Sequence, residues 1–324
     1  MRLRSKVHLG IVAVVLSGMQ ASVGAAQPLQ PPRIALVIPG PPSCVLDGFT
    51  RPALEESHLD PSTVRLYCYS NPRDVPRQMR EIAASKPNIL VIFASALGAR
   101  VAHEADPTLS IVFADVEDPV KKGLARSLAH PGMNMTGITS NTDELLAKRI
   151  EILKEAVPSV ARLGVLGNLA NEDQASYWRV TQDAARSVRV DARLYGVESP
   201  SQIAPAIEAM KRDGMDALMM LPDSWFFPQR VEIFADAAKH RLPVISGNSL
   251  YADAGALLTY GADLGTMASQ AYAYVHKILD GAKAGDLPVI QPARINFIVN
   301  ARTAREQGVT ISPTSLLRAT RVIE

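Results

Sequence analysis

The chain has 324 residues, a formal net charge of +2 and two cysteines, Cys44 and Cys68. The length is enough for two domains with cores of their own. The near-balanced charge gives a nucleic-acid role no electrostatic support, and two cysteines at this spacing are not a zinc site.

Residues 1–26 read as a secretory signal peptide: basic "MRLRSK", then apolar "VHLGIVAVVLSGM", then small "ASVGAAQ", with cleavage expected after Ala26. The apolar run is too short and wrongly flanked for a spanning helix. No Cys follows the cleavage position, so a lipid anchor is not indicated. Loss of Arg2, Arg4 and Lys6 shifts the formal charge to −1. The expectation is a soluble exported protein. In an oxidising export compartment Cys44 and Cys68, each near the end of a predicted strand, either form a disulfide or stay as buried thiols.

From Arg33 onward short apolar runs alternate with amphipathic stretches. Strands are predicted at 33–38, 64–70, 89–93, 110–115, 135–140, 162–168, 189–197, 216–222, 242–247 and 256–261. They are rich in Val, Ile and Leu without polar alternation, as strands buried on both faces are. Between them, Leu145, Leu146, Ile150, Leu153 and Val157 keep helical spacing, and Pro158 closes that helix. Ser199 and Gly214 bracket another. The pattern predicts a doubly wound α/β fold. Residues 33–130 and 162–250 each hold about four strand–helix units. That is a weak duplication, which fits two similar lobes or one large sheet. Either way, ligands are expected beyond the carboxyl ends of the strands.

Catalytic and cofactor motifs are poor. Histidines 58, 103, 130, 240 and 276 are scattered with no metal-binding spacing, and GxSxG, P-loop and GxGxxG patterns are absent. No cofactor and no metal are expected. The strand ends do carry polar groups. Ser95 and Ala96 open a helix whose free N–H groups suit an anion, unless Ser95 is an ordinary cap. Asp115, Glu117 and Asp118 cluster after the fourth strand, as an ammonium site, a solvated turn, or an acid–base group. Asn168 and Asn171 follow a later strand, where Asn is also common in plain turns. Asn248, Ser249 and Tyr251 follow another. Residues Ser224 to Lys239 are predicted as one helix begun by Asp223, either a cap or an acceptor for a ligand amine. Trp225, Phe226 and Phe227 open that helix. Successive helical side chains diverge by about 100°, so at least one ring should reach the rim of a cleft.

Four stretches carry a resemblance: "DPVKKGLARSLAHPGMNMTG", "LMMLPDSWFFPQRVEIFADAAKHRLPVI", "ALLTYGADL" and "INFIVNARTAREQGVTISPTSLLRA". Together they resemble the periplasmic substrate-binding proteins of ABC transporters in the tryptophan/tyrosine-type (TrpX-like) family. The similarity spans about 86–324 and weakens over 40–80. It implies a type I periplasmic-binding-protein fold, with two α/β lobes joined by three crossovers and ligand between them. The implied lobes are 27–138 plus 261–287 and 139–260 plus 288–324, with hinge positions Thr136, Gly137, Tyr260 and Gly261. Ser43, Ser95, Ala96 and Asp115 would line the cleft from one side. Asn168, Asn171, Asp223, Trp225 and Asn248 would line it from the other. The implied role is a non-enzymatic, monomeric carrier. It would deliver an amino-acid-like or aromatic carboxylate to an ABC permease or, alternatively, report it to a membrane sensor kinase.

Overall fold

Apolar runs without polar alternation bury both faces, so they pair in parallel between layers of helices. The computed structural model, which describes residues 34–40, 50–69, 71–140 and 142–324, has this arrangement twice. Strands β1 (Ile34–Pro39), β2 (Val64–Tyr69), β3 (Ile89–Phe93), β4 (Ser110–Val116) and β5 (Met135–Thr139) form an all-parallel sheet in the order β2-β1-β3-β4-β5. All five residues of β3 are buried. Helices α1 (Thr50–Glu56), α2 (Val75–Ala84) and α3 (Ala96–Ala105) join these strands. Val75, Met79 and Ile82 of α2 and Ala99 of α3 cover one face. Ala53 and Leu54 of α1 cover the other, together with Met267, Ala271 and Tyr272, which arrive from much later in the chain.

The second sheet contains β6 (Arg162–Asn168), β7 (Asp191–Val197), β8 (Ala217–Met220), β9 (Val244–Ser246), β10 (Leu258–Ala262), β11 (Ile295–Asn300) and β12 (Arg321–Ile323). Its order is β12-β11-β10-β9-β8-β6-β7. Helices α4 (Thr142–Ala156) and α5 (Gln174–Ser187) pack on one face. Helices α6 (Ile203–Arg212), α7 (Arg230–Lys239) and α8 (Leu250–Asp253) pack on the other. The chain continues through α9 (Leu264–Leu279), which is the late helix on the first sheet, then α10 (Ala301–Gln307) and α11 (Pro313–Arg318). Numbered within its own lobe, each sheet has the strand order 2-1-3-4-5 over its first five strands. The duplication is therefore real in three dimensions. Each lobe has a topological switch point, between β1 and β3 and between β6 and β8, where such sheets open a crevice.

The chain changes lobes three times, between β5 and α4, between β10 and α9, and between Ile290 and β11. Those points lie a few residues C-terminal of the expected hinges. Thr136 and Gly137 lie inside β5, and Tyr260 and Gly261 inside β10. Thr136 Oγ1 donates to the Leu287 carbonyl at 2.8 Å, which ties β5 to its own lobe. A Cβ at Gly137 would lie 2.0 Å from the Phe113 carbonyl oxygen, and one at Gly261 1.8 Å from that of Gly247. These glycines therefore serve close backbone approach. Strands β11 and β12 were not among the strands read from periodicity. β11 runs antiparallel to β10, with Ala262 opposite Ile295. The chain leaves the second sheet at the end of β10 and re-enters at that same end, so it must run back the other way.

Candidate functional site

The two sets of strand ends face one another across a cavity of about 1140 Å3 that is open to solvent. The first lobe supplies Ile38, Pro39 and Gly40 at the end of β1, Phe93 and Ala94 at the end of β3, and Asp115 on β4. The second supplies Met220 to Ser224 at the end of β8, Ser246 to Asn248 at the end of β9, and Phe227, Leu250 and Tyr251. Leu145 and Arg149 project from α4. Two wall residues have a left-handed backbone that side chains disfavour, Ala94 at φ 54° and Asp115 at φ 59°. At Asp115 the β4–β5 register slips between Ala114 and Val116, and this irregularity coincides with Asp115's place on the cavity wall.

Arg149 is the group that sequence reasoning missed. It is 4% exposed, and its Nε donates to the Tyr260 carbonyl at 2.7 Å. Its Nη1 is buried and has no hydrogen-bond partner among the described residues. A Cβ on Gly247 would lie 2.1 Å from Nη2, so glycine there makes room for the guanidinium. Burial lowers the Arg149 pKa to about 10, and nearby Asp115 opposes that shift. The side chain therefore stays cationic at neutral pH. A signal was present in the sequence: Arg149 stands four residues from both Leu145 and Leu153, on the apolar stripe of its helix.

Two carboxylates complete the charge pattern. Burial pushes the Asp115 carboxyl up to about 6, against the pull of Arg149 and with a further push from Glu117. Asp223 is also raised by burial, opposed by hydrogen bonds from the Trp225 N–H, Asn168 and Asn171. Asn168 Nδ2 and Asn171 Nδ2 both donate to Asp223 Oδ2, at 2.8 and 3.1 Å, and the Trp225 N–H donates to Oδ1 at 2.8 Å. Asp223 is thus both a cap and a cavity residue. The two asparagines hold it in place: Asn171 lines only an adjoining smaller cavity, and Asn168 lines neither.

The other expected site residues divide. Asn248 lines the main cavity while its Oδ1 accepts from the Leu250 N–H at 2.9 Å. Ala96 lines the smaller cavity. Ser95 lines neither; its Oγ accepts from the Gly98 N–H at 3.0 Å as a helix cap. Glu117 joins Asp115 only on the smaller cavity, and Asp118 lines neither. Glu117 accepts from Ser140 Oγ and the Thr142 N–H, and Asp118 accepts from the Lys121 N–H. Ser43 and Cys44 lie outside the described residues, as does the expected signal peptide. Cys68 is disulfide-bonded.

Of the three rings, Phe227 lines the cavity and Trp225 does not. The single expected helix is split into a short 3-10 turn, Ser224–Phe226, and α7. Phe227 keeps helical dihedrals, φ −62° and ψ −44°, but Pro228 has no N–H to continue the hydrogen-bond ladder. Phe226 is fully buried, and Trp225 packs edge-on against it and the lobe's core. Phe227 stacks on Tyr251 at 6.0 Å, with the Arg230 guanidinium 4.2 Å from its ring centre. The lobes also meet through Lys122, which forms an ion pair with Asp173 at the start of α5.

A family described as "ABC transporter substrate binding protein" matches residues 47–323. The chain belongs to this family. A tyrosine-binding protein from Clostridioides difficile (strain R20291) is 22% identical over 260 residues, 80% of this chain and 74% of that protein. The crystal structure of a conserved domain protein from Vibrio cholerae O1 biovar eltor has a TM-score of 0.78 at 23% identity, covering 90% of this chain and 100% of that one. An ABC domain in complex with L-Trp from Streptococcus pneumonia also gives 0.78, at 20% identity, covering 90% and 98%. As a family member the chain is a substrate-binding protein, a non-enzymatic role, with two parallel-sheet lobes of the type I periplasmic-binding kind. Among the described residues no helix is long and apolar enough to cross a membrane, and no group of three or more His, Cys, Asp or Glu is placed to hold a metal ion.

Proposed function

We propose that this protein captures a free α-amino acid with an aromatic or large apolar side chain and delivers it from the periplasm to an ABC permease. The observation that carries this reading is Arg149, a buried cation with an unused donor on a cavity that also holds Asp115 and Asp223. A buried guanidinium fits a carboxylate by charge and by geometry. The two aspartates fit an ammonium. Phe227, Tyr251, Leu145, Met220 and Leu250 offer the body of the ligand an apolar wall. The tyrosine- and tryptophan-binding relatives agree with that chemistry. The expected signal sequence and the family membership support export and delivery.

Closure follows from the same layout. Arg149 belongs to the second lobe and Asp115 to the first, so one zwitterion touches both and favours the form in which both are near. A 100-fold preference for the closed form needs about 2.7 kcal/mol, within reach of two charge-assisted hydrogen bonds. The test is calorimetry on the purified protein with L-tyrosine, L-tryptophan, L-phenylalanine and their decarboxylated amines. The amino acids should bind and the amines should not. An amine binding as well as its parent acid would remove Arg149 from the ligand's carboxylate and sink the reading.

A further inference from the structure

A second cavity, about 530 Å3 and also open to solvent, adjoins the first and shares Asp115, Asp223, Ser140 and Thr142 with it. Its character is different. Where the main cavity is walled by rings and aliphatic chains, this one is lined by Glu117, Lys122, Asp173 and Tyr177. Four carboxylates face one amine, and that amine is already paired with Asp173. The chamber therefore has an excess of negative charge and suits a cation.

Tyr177 is a second, independent pointer. It is 6% exposed, it lines this chamber, and its hydroxyl has no hydrogen-bond partner among the described residues. A phenol facing a chamber with no protein partner can donate to, or accept from, a bound molecule. Within the reading above, the ligand's ammonium sits by Asp115 and Asp223, where the two chambers join. A free amino acid ends there. A ligand extended through its nitrogen continues into the acidic chamber.

We infer that the smaller cavity is a subsite for the N-terminal residue of a dipeptide. The peptide's aromatic C-terminal residue fills the main cavity, its amide carbonyl accepts from the Tyr177 hydroxyl, and its terminal ammonium lies among the chamber's carboxylates. The inference rests on the assignment of Arg149 to the ligand's carboxylate. It also sets a polarity: the carboxylate goes to the main cavity and the amine to the side chamber.

The test compares L-tyrosine, glycyl-L-tyrosine and N-acetyl-L-tyrosine by calorimetry on the purified protein. Glycyl-L-tyrosine should bind at least about tenfold tighter than either of the others, because N-acetyl-L-tyrosine reaches the chamber without a charge. Tyr177→Phe should weaken the dipeptide about five- to tenfold and leave L-tyrosine within about twofold. Binding of L-tyrosine with no gain for the dipeptide would overturn the subsite and leave the amino-acid reading intact. An equal effect of Tyr177→Phe on both ligands would also overturn it. Failure of all three compounds would remove the amino-acid reading and the subsite together.

Discussion

The two lobes share a strand order but contribute unequally to the cleft. The first offers apolar Ile38, Phe93 and Leu264, the turns at Gly40 and Ala94, and one carboxylate, Asp115. The second offers Arg149, Asp223, Phe227, Tyr251 and the polar turn after β9. The duplicated topology fixes where a ligand sits, and the unequal walls fix the order of events. A ligand can make most of its contacts with the second lobe alone. The first lobe then closes over it, adding Asp115 and the Lys122–Asp173 pair. On this view, second-lobe substitutions should abolish capture, and first-lobe substitutions should weaken closure.

The largest effect is expected at Arg149. Arg149→Met should cost about 100-fold or more in affinity for L-tyrosine, since it strands a buried carboxylate. The ligand-free protein should also melt lower at pH 7.5, because Asp115 loses its buried counter-charge and the Tyr260 carbonyl loses its donor. A loss below about fivefold would break the assignment of lead role to the second lobe. Asp115→Asn should be milder, about 10- to 30-fold at pH 7.5, for the loss of one charge-assisted contact. The pH dependence gives a second readout. The folded carboxyl lies near 6 against an ordinary 3.8. Between those values the native state holds the proton more tightly than the unfolded chain. The stability this group contributes therefore falls as pH rises through that window. Asp115→Asn should raise the ligand-free melting temperature at pH 7.5. Ammonium binding needs the ionised form, so wild-type affinity should fall as pH drops below about 6, a dependence the Asn variant should flatten.

The unequal walls explain what the sequence revealed. Central strands such as β1 and β3 were legible because parallel strands buried on both faces leave uninterrupted apolar runs, whereas the edge strands β2 and β7 are half-exposed and mix polar residues in. β11 escaped because its direction depends on where the chain re-enters, and β12 because three residues carry no period. First-lobe Asp115 stood out as an acid at a strand end. Asp223 and Asn248 stood out as polar groups at strand ends. Arg149 did not, because a basic residue in an amphipathic helix ordinarily faces water. Only its place between Leu145 and Leu153 marks it as buried, and what it faces depends on Gly247, nearly a hundred residues away. Helical spacing asked only that one ring reach the cleft, and the resemblance named Trp225; the 3-10 turn at Ser224–Phe226 puts Phe227 on the cavity instead.

The rings offer a smaller effect that sharpens the comparison within one lobe. Phe227→Leu should cost about three- to tenfold in affinity for aromatic amino acids, the worth of one ring contact. Trp225→Leu should instead lower the melting temperature and leave affinity within about twofold, because that ring packs on the lobe's core. Swapped outcomes would restore Trp225 as the ligand's partner.

The smallest effect is expected at the rim, where the lobes touch without ligand between them. Lys122→Ala removes the ion pair with Asp173 while every second-lobe contact survives. An interlobe pair contributes only to the closed form, so its loss should appear in ligand release more than in capture. Partly exposed ion pairs are worth about 1 kcal/mol or less, which corresponds to a two- to fivefold faster dissociation. The wild-type protein should lose the same advantage as salt rises, since screening weakens such a pair. The variant's dissociation rate should then be nearly independent of ionic strength. Stopped-flow measurement of L-tyrosine release at low and high salt distinguishes this from a direct ligand contact. A variant that slowed association instead would place Lys122 in the capture step and make the first lobe an equal partner from the start.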